Sequence, residues 1–300
     1  MLLTPDDLSY LCQRAISAAQ HAGRLIESYA TNTVLAIPKR GGSHRASQVV
    51  TEVDLLSEAA ILAMLEPDCK RYDLGLLTEE RIDDNTRLQK DYFWCIDPLD
   101  GTLPFIESCP GYAVSIALVA QSGEPLIGVV YDPLAHTLYA AVQGQGAFRN
   151  GRPWQYSQAS VHGKPLTLAC DRGLVQQHDY PAIHQELEVM AIKCGFTGLH
   201  TLLNGGAVMN ACWGFENPPG CYFKLPKSED GGGSLWDFAA TAAIAAELGA
   251  VASDVYGHSL DLNRTGSTFM NHRGAIFATD LVLATDILGV LRRYATGQMG

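Results

Sequence analysis

The sequence predicts a layered fold of the α+β or α/β class, in which helices pack on β-sheets. Apolar residues recur with helical spacing at the start of the chain, and the pattern becomes that of strands between residues 112 and 150. Chains that carry helices and strands in runs typically pack them as layers around a shared core. A chain of 300 residues buries about 75% of the surface that it exposes when unfolded, so a large core is available.

Two helices are expected before the first strand. Thr4 is typical of an N-cap and Pro5 of a first helical position, and apolar residues keep helical spacing from there to about Tyr29. The second helix is expected over residues 51–65, where a capping pattern marks its start and Pro67 its end. Both helices therefore precede the β-rich part of the chain.

The first sheet is expected to be an antiparallel meander. Residues 92–96 form a short, dense apolar run that favours a buried strand. An Asn150-Gly151 turn closes the meander. Between these points, turn signals separate three further strands, at residues 112–120, 126–131 and 137–142.

The second half of the chain gives fewer secondary-structure signals. It predicts strands at residues 166–170 and 275–278 and helices at residues 181–194 and 234–247, the last ended by Gly249. We expect an N-terminal α+β part at residues 1–152 and a C-terminal α/β part at residues 153–300, packed as one unit.

The charge balance excludes several classes of partner. There are 21 basic and 32 acidic side chains, for a formal net charge of −11. Nucleic-acid polymers and anionic membranes are bound by clustered Lys and Arg, so neither is expected. No apolar run approaches the roughly 20 residues of a membrane helix. Without a visible secretory signal or a C-x-x-C pair among the eight cysteines, we expect a cytoplasmic protein with reduced thiols and no zinc site of familiar spacing.

The most informative stretch follows the buried strand and reads Asp97-Pro98-Leu99-Asp100-Gly101-Thr102. Strand ends present reactive groups from a rigid support. Two aspartates three apart, with a proline between them, can direct two carboxylates and a carbonyl to one point, which suits a hard divalent cation such as Mg²⁺. The glycine lets the backbone approach a ligand, and the amides that follow favour an anion. A surface turn is about equally well supported by the hexapeptide alone.

Further acids stand at comparable places. Glu79 and Glu80 follow another short apolar run, where adjacent like charges by themselves favour a solvated loop. Asp54 and Asp237 each stand three residues after a Thr or Ser at an expected helix start. An acid there completes a capping box and faces the positive end of the helix, so capping is the simpler interpretation for both.

Taken together, these motifs resemble the inositol monophosphatase superfamily, a group of Mg²⁺-dependent, lithium-sensitive phosphatases. The resemblance extends from about Asp6 to Ala278 and implies an αβαβα sandwich. It rests on the order of three motifs and a glycine-rich hairpin: Glu79-Glu80, Asp97–Thr102 with Phe105, Trp236–Ala240, and Gly144–Gly151 after Leu138-Tyr139-Ala140.

The resemblance also implies a set of metal ligands. Glu79, Asp97 and the Leu99 carbonyl would hold one Mg²⁺, which activates the attacking water. Asp97, Asp100 and Asp237 would hold a second, giving two or three ions in all. Close carboxylates repel each other by up to about 4 kcal/mol per pair at an effective dielectric of 20, and cations remove that repulsion. An acidic protein can thereby bind an acidic substrate.

Further roles are implied for catalysis and for substrate binding. Thr102 with Asp54 resembles the pair that orients or deprotonates the water, and Glu80 would support an additional metal. The implied catalytic residues are thus Asp54, Thr102 and Glu80, and the implied substrate contacts are Gly101, Thr102, Gly206 and Asp230.

The implied activity is Mg²⁺-dependent hydrolysis of a small-molecule phosphate monoester, with an inositol phosphate as the first expectation. One alternative is a 3′(2′),5′-bisphosphate nucleotidase acting on adenosine 3′,5′-bisphosphate, a branch that Thr78 and Leu99 weakly favour. A further alternative is a cation-binding homologue without turnover. The expected partners are a small phosphorylated substrate and, by resemblance, a second copy of the chain.

The sequence leaves the roles of two loops and two lysines undecided. Residues 39–45 are expected to form a flexible connection, in preference to a loop that closes over the metals. Gly231–Gly233 favours a mobile loop slightly over a phosphate cradle. Lys224 and Lys227 could meet a second phosphate, although solvated side chains are the simpler expectation for lysines.

Overall fold

The computed structural model describes residues 2–36, 43–156 and 163–295. The chain opens with two long helices, α1 over Pro5–Ala36 and α2 over Ser43–Tyr72. At the start of α1, the Asp7 amide donates to the Thr4 hydroxyl (3.2 Å) and the Thr4 amide donates to the Asp7 carboxylate (3.0 Å). This reciprocal cap confirms the predicted start of α1.

The predicted start of α2 is wrong. The helix begins at Ser43 and not at Thr51, so the last residues of the predicted 39–45 loop are helical. Residues 39–42 of that loop lie outside the described residues. Asp54 consequently stands in the interior of α2 and does not cap a helix start.

The predicted end of α2 is also wrong, because the helix continues through Pro67. A proline inside a helix costs about 3 kcal/mol, since it removes one hydrogen bond and clashes with the preceding turn. Contacts beyond it offset that cost. The buried Asp68 accepts from Arg14 Nε (2.8 Å) and from the Tyr10 hydroxyl (3.1 Å), and Tyr72 is buried. Tertiary contacts therefore hold the last turns of the helix.

Seven strands form the first sheet, in their sequence order. β1 pairs in parallel with β2, and the remaining strands form an antiparallel meander, as predicted. The turn at Asn150-Gly151 is confirmed, and β2 extends beyond the predicted end at residue 96. The strands are β1 Gly75–Thr78, β2 Tyr92–Asp100, β3 Ala113–Ala120, β4 Pro125–Asp132, β5 Thr137–Val142, β6 Gly146–Arg149 and β7 Arg152–Trp154, with the short helix α3 Thr102–Ile106 after β2.

Five strands form the second sheet, in the order β11-β12-β10-β8-β9. The two strands and two helices predicted in this half are confirmed to within one residue at each end. The elements are β8 Leu166–Ala169, α4 Arg172–Val175, α5 Tyr180–Lys193, β9 Leu199–Leu202, α6 Ala207–Glu216, β10 Gly220–Lys224, α7 Leu235–Leu248, β11 Val251–Ser253, β12 Ala275–Ala278 and α8 Leu281–Ala295.

Three buried clusters define the layers. α1 and α2 pack on the face of the first sheet that carries Trp94. The opposite face, which carries Phe93, packs against α6 and α7, and these helices also contact the second sheet at Tyr222 and Phe277. α5 and α8 cover the outer face of the second sheet. The order is α-β-α-β-α, which confirms the predicted sandwich.

The two halves of the chain share the middle layer. α7 comes from the C-terminal half, yet it packs on β3 and β4 of the first sheet. The first sheet itself reaches Trp154. The division at residues 152 and 153 stays a prediction.

All eight cysteines are free in the structure, and five of them are buried. Among the helices of the described residues, none is long and apolar enough to cross a lipid bilayer.

Candidate active site

A bulge at the end of β2 brings Asp97 and Asp100 to one side of the sheet. Asp97 pairs with Ser115 and Asp100 with Ala113, so β2 holds one residue more than β3 between these two pairs. Residues three apart in a regular strand point to opposite faces, and the extra residue restores a common side. Both aspartates are buried. The bulge thus directs both carboxylates into the layer between the sheets.

Hydrogen bonds fix the turn between these aspartates. The Leu99 amide donates to Asp97 Oδ1 (3.0 Å), and the hydroxyl of the buried Ser57 donates from α2 to the Pro98 carbonyl (2.8 Å). The Leu99 side chain is buried on the opposite face, in the cluster beneath α1 and α2. Pro98 and Leu99 therefore anchor the strand end while the aspartates face the middle layer.

The start of α6 holds Asp100. Its carboxylate accepts from the amides of Ala207 (3.1 Å) and Val208 (2.9 Å). Gly206 lies against the same carboxylate so closely that a Cβ there would stand 2.3 Å from Asp100 Oδ2. Gly206 therefore packs against Asp100, and its contact with a substrate stays a prediction.

Asp237 completes a group of three acids. It is the N3 residue of α7 and forms a capping box with Ser234, which confirms the simpler interpretation of this residue. It also lies beside β2, since one carboxylate oxygen from each of Asp97, Asp100 and Asp237 falls within 4.8 Å of the others. Asp237 therefore caps α7 and belongs to the acid group at once, because the cap fixes the position of its carboxylate.

The electrostatics of this acid group suit a divalent cation. Burial raises the pKa of Asp97, Asp100 and Asp237, and neighbouring carboxylates raise the pKa of Asp97 and Asp100 further. Carboxylate oxygens are the ligands that Mg²⁺ prefers, and a cation removes the repulsion that raises these pKa values. The donor set therefore fits Mg²⁺.

Glu79 lies beside the acid group, and Glu80 lies near Glu58 and Asp54. The Glu79 amide donates to the Ile96 carbonyl (3.2 Å), which places the end of β1 next to Asp97. Burial and the charge of Asp237 raise the pKa of Glu79 to about 7, and its carboxyl is hydrogen-bonded to Asp97. Burial and the charge of Glu58 raise the pKa of Glu80. The sequence pattern singled out both glutamates, and the fold places Glu79 next to Asp97.

Three of the other predicted site residues lie outside the three-acid group. Asp54 is buried in α2, and burial with the charges of Glu80 and Glu79 raises its pKa to about 7. Thr102 is exposed at the start of α3, and within the described part of the chain no hydrogen bond joins its hydroxyl to Asp54. Asp230 is exposed in the loop before α7. The roles of all three stay predictions.

Gly101 takes the left-handed conformation that its motif suggested. Its φ is 87°, and a Cβ at this position would stand 2.5 Å from the Gly111 carbonyl. It is the N-cap residue of α3 and has no side chain to cap the first turn. Contact of the Gly101 and Thr102 amides with a phosphate stays a prediction.

The sequence pattern does not single out the buried Glu58, and it predicts a solvated side chain for Lys224, which is half-buried. Glu58 accepts from the Thr78 hydroxyl and from Arg81 Nε (3.1 Å), and so supports the Glu79-Glu80 turn. The side chain of Lys224 is only 19% exposed, with Nζ 3.5 Å from Asp171 Oδ2. A lysine two residues after Tyr222 in a short apolar strand is a period-two signal that could have placed Lys224 on the inner face.

Comparison with known proteins gives the family of the fold. The model of the inositol monophosphatase family matches residues 7–290. Inositol-1-monophosphatase of Synechocystis is 36% identical over 183 residues, which are 60% of this chain and 61% of that protein. Nus factor SuhB of Vibrio cholerae is 30% identical over 253 residues, which are 81% of this chain and 84% of that protein.

Solved structures share the architecture. Inositol monophosphatase-II from Staphylococcus aureus superposes with a TM-score of 0.72 at 21% identity, covering 97% of this chain and 99% of that one. Structures of SaIMPase-II hold inositol monophosphate (TM-score 0.68, 22% identity) and 2′AMP (TM-score 0.71, 22% identity). At these identities the likeness establishes the fold.

Proposed function

This chain belongs to the inositol monophosphatase family, and from that premise we propose that it hydrolyses a small-molecule phosphate monoester in a Mg²⁺-dependent reaction. The observation that carries the proposal is the group of Asp97, Asp100 and Asp237, of which two are buried and Asp237 is half-buried, and whose carboxylates converge within 4.8 Å. Capping and amide contacts position Asp237 and Asp100, but they do not remove the repulsion between three carboxylates at this distance. A bound cation removes that repulsion and attracts an anionic substrate.

The residues of the acid group and their neighbours have separate proposed roles. Asp97, Asp100 and Asp237, with Glu79 and the Leu99 carbonyl, would hold Mg²⁺. When bound, Mg²⁺ supplies a lowered pKa for water and positive charge against the phosphate oxygens. Asp100 is fixed by the α6 amides, so its carboxylate stays in place during the reaction.

Two further roles belong to the chain itself. The Asp54 carboxylate, buried beside Glu79 and Glu80, is our candidate for accepting a proton from the attacking water, directly or through Thr102. The amides of Gly101 and Thr102 would orient the phosphate.

An inositol phosphate is the first substrate we propose. The Synechocystis relative is an inositol-1-monophosphatase, and SaIMPase-II binds inositol monophosphate in a structure of the same fold. The 2′AMP complex of SaIMPase-II keeps a nucleotide phosphate as the second candidate. The name of the SuhB relative specifies no substrate.

Phosphate release tests the proposal. We expect hydrolysis of inositol 1-phosphate or adenosine 3′,5′-bisphosphate with Mg²⁺, loss of activity with excess EDTA and inhibition by lithium. Asp97→Asn and Asp100→Asn should each lower kcat/KM by about 100-fold or more, because each removes a ligand charge. Asp261→Asn, at an exposed site away from the acid group, is the matched control.

Two outcomes would contradict the proposal. Undiminished turnover in excess EDTA would exclude the metal-dependent reaction. A folded protein that binds Mg²⁺ yet releases no phosphate from any of these esters would instead support a cation-binding homologue without turnover.

A further inference from the structure

The loop between α3 and β3 packs against the turn that precedes α6. The Gly206 amide donates to the Gly111 carbonyl (2.7 Å), and a Cβ on Gly111 would stand 2.3 Å from the Asn204 carbonyl oxygen. Gly206 also lies against the Asp100 carboxylate, so closely that a Cβ there would stand 2.3 Å from Oδ2. The contact between the loop and the turn therefore fixes where the start of α6 meets Asp100.

Arg172, the first residue of α4, joins the loop to the turn. Its Nη1 donates to Glu107 Oε1 (2.9 Å), and its Nη2 lies 2.7 Å from Glu107 Oε2. Nη2 also donates to Asn204 Oδ1 (3.3 Å). Two parallel bonds to one carboxylate fix the direction of a guanidinium as well as its distance. Arg172 thus holds Glu107 of the loop and Asn204 of the turn at one point.

The neighbouring Asp171 binds the same turn from inside the protein. Its Oδ1 accepts from Asn210 Nδ2 (3.0 Å) in α6, and Nδ2 also donates to the Gly205 carbonyl (3.0 Å). Asn210 is fully buried, whereas the side chains of Arg172 and Glu107 are 34% and 41% exposed. The outer of the two attachments can therefore be removed without leaving a charge buried.

We propose that Arg172 is a positioning residue for the Asp100 carboxylate: its ion pair with Glu107 and its bond to Asn204 hold the start of α6 against Asp100. The inference rests on the proposed function, in which Asp100 binds Mg²⁺. No hydrogen bond or ion pair joins Arg172 to the three acids within the described residues, so its effect on the metal passes through α6. An ion pair at this exposure contributes little to the stability of the fold. A loss of Mg²⁺ affinity at unchanged stability therefore separates positioning from a merely structural role.

Titration calorimetry measures Mg²⁺ binding without requiring turnover. We expect Arg172→Gln and Glu107→Gln each to raise the Kd for Mg²⁺ by about threefold to tenfold, while the Tm of the metal-free protein changes by no more than about 3 °C. The double variant should bind Mg²⁺ no more weakly than the single variants, because both substitutions remove the same ion pair. Arg172→Lys keeps the charge without the two parallel bonds, so it should recover part of the affinity.

The ion pair between Arg293 and Glu186 provides a matched control, because it joins the outer helices α8 and α5 and its side chains are 60% and 35% exposed. Arg293→Gln should keep the parental Kd for Mg²⁺. In phosphate-release assays, Arg172→Gln should lower kcat at limiting Mg²⁺, regain most of it at saturating Mg²⁺ and leave the KM for the ester unchanged.

The outcomes separate this inference from the proposed function. Parental Mg²⁺ affinity in both single variants overturns the positioning role and leaves the phosphatase proposal standing. A KM that rises in Arg172→Gln but not in Glu107→Gln would assign Arg172 to direct substrate binding and overturn it as well. If both variants weaken Mg²⁺ binding and the parent hydrolyses no ester, the positioning of Asp100 stands and the proposed function fails. A parent that binds no Mg²⁺ refutes both.

Discussion

Asp100 combines a packing role with its proposed role as a metal ligand. Its carboxylate accepts two amides from the start of α6, rests on Gly206 and belongs to the three-acid group. Burial, the first cause of its raised pKa, and the charge of Asp237 both oppose ionisation, while Lys224 and the Val208 amide favour it. The balance at this residue therefore depends on neighbours from three separate elements.

Gly206→Ala tests that dependence. A methyl group at this position would stand 2.3 Å from Asp100 Oδ2, so either the carboxylate or the start of α6 must move. We expect a loss of about 1–3 kcal/mol in the free energy of unfolding and weaker Mg²⁺ binding by titration calorimetry. Gly289→Ala, where no atom lies within 4 Å of the added Cβ, is the matched control. Parental Mg²⁺ affinity in Gly206→Ala would show that this packing does not position Asp100.

Helix α2 shows how an element departs from its local signals. Its proline predicts an end that the structure does not have, because Asp68 and Tyr72 find partners on α1. The same helix supplies Ser57, which holds the Pro98 carbonyl, and Asp54, which lies beside Glu79 and Glu80. An outer-layer helix thereby reaches the strand end that carries the acids.

Pro67→Ala should stabilise the protein. The substitution restores a backbone hydrogen bond and removes a clash in α2. It also raises the conformational entropy of the unfolded chain, which offsets part of this stabilisation. We expect the free energy of unfolding in urea to rise by about 1–2 kcal/mol. Pro5→Ala, at the first position of α1 where proline is well tolerated, should change little. A less stable Pro67→Ala would mean that the helix depends on the ring of Pro67 for packing.

At the scale of the whole molecule, the acid group sits in the middle layer, where elements of both halves meet. Glu79 directly follows β1, β2 carries Asp97 and Asp100, and α7 carries Asp237 from about 140 residues further along the chain. Without a cation, folding brings these carboxylates into mutual repulsion that the unfolded chain does not experience. The stability of the metal-free protein is consequently linked to pH.

The sign of that linkage follows from Glu79. Its pKa rises from 4.5 to about 7 on folding, through burial first and the charge of Asp237 second. The folded state therefore holds a proton that the unfolded state has lost, and the contribution of Glu79 to stability falls as pH rises from 4.5 to about 7. We expect the EDTA-treated parent to lose more stability over this range than Glu79→Gln, measured by thermal unfolding. Identical pH profiles would contradict the raised pKa of Glu79 in the folded protein.

Added Mg²⁺ should offset the same penalty. Free Mg²⁺ at 100 times its Kd would stabilise the parent by about 2.7 kcal/mol through selective binding to the folded state. At equal Mg²⁺, Asp97→Asn should be stabilised less than the parent, and Asp261→Asn should be stabilised as much as the parent.

Apolar periodicity was enough to predict the most regular elements, and the motifs were enough to single out the acids. The meander, α1, α5 and α7 follow from apolar spacing and turn residues, although β2 continues past its expected end at residue 96 to Asp100. α8 was not predicted, although Leu283, Ile287 and Leu291 recur with helical spacing. The short strands β9 and β11 carry too few residues for any period to be read.

The packing of distant elements sets which charged residues lie close together. Capping explains Asp237 completely at the level of α7, and nothing local places it within reach of Asp97. Lys224 has the sequence context of an ordinary lysine until β10 turns it toward the acids. The physical reason is that periodicity reports the neighbours of a residue along one element, whereas charge repulsion and ion pairing depend on distances between elements that packing alone sets.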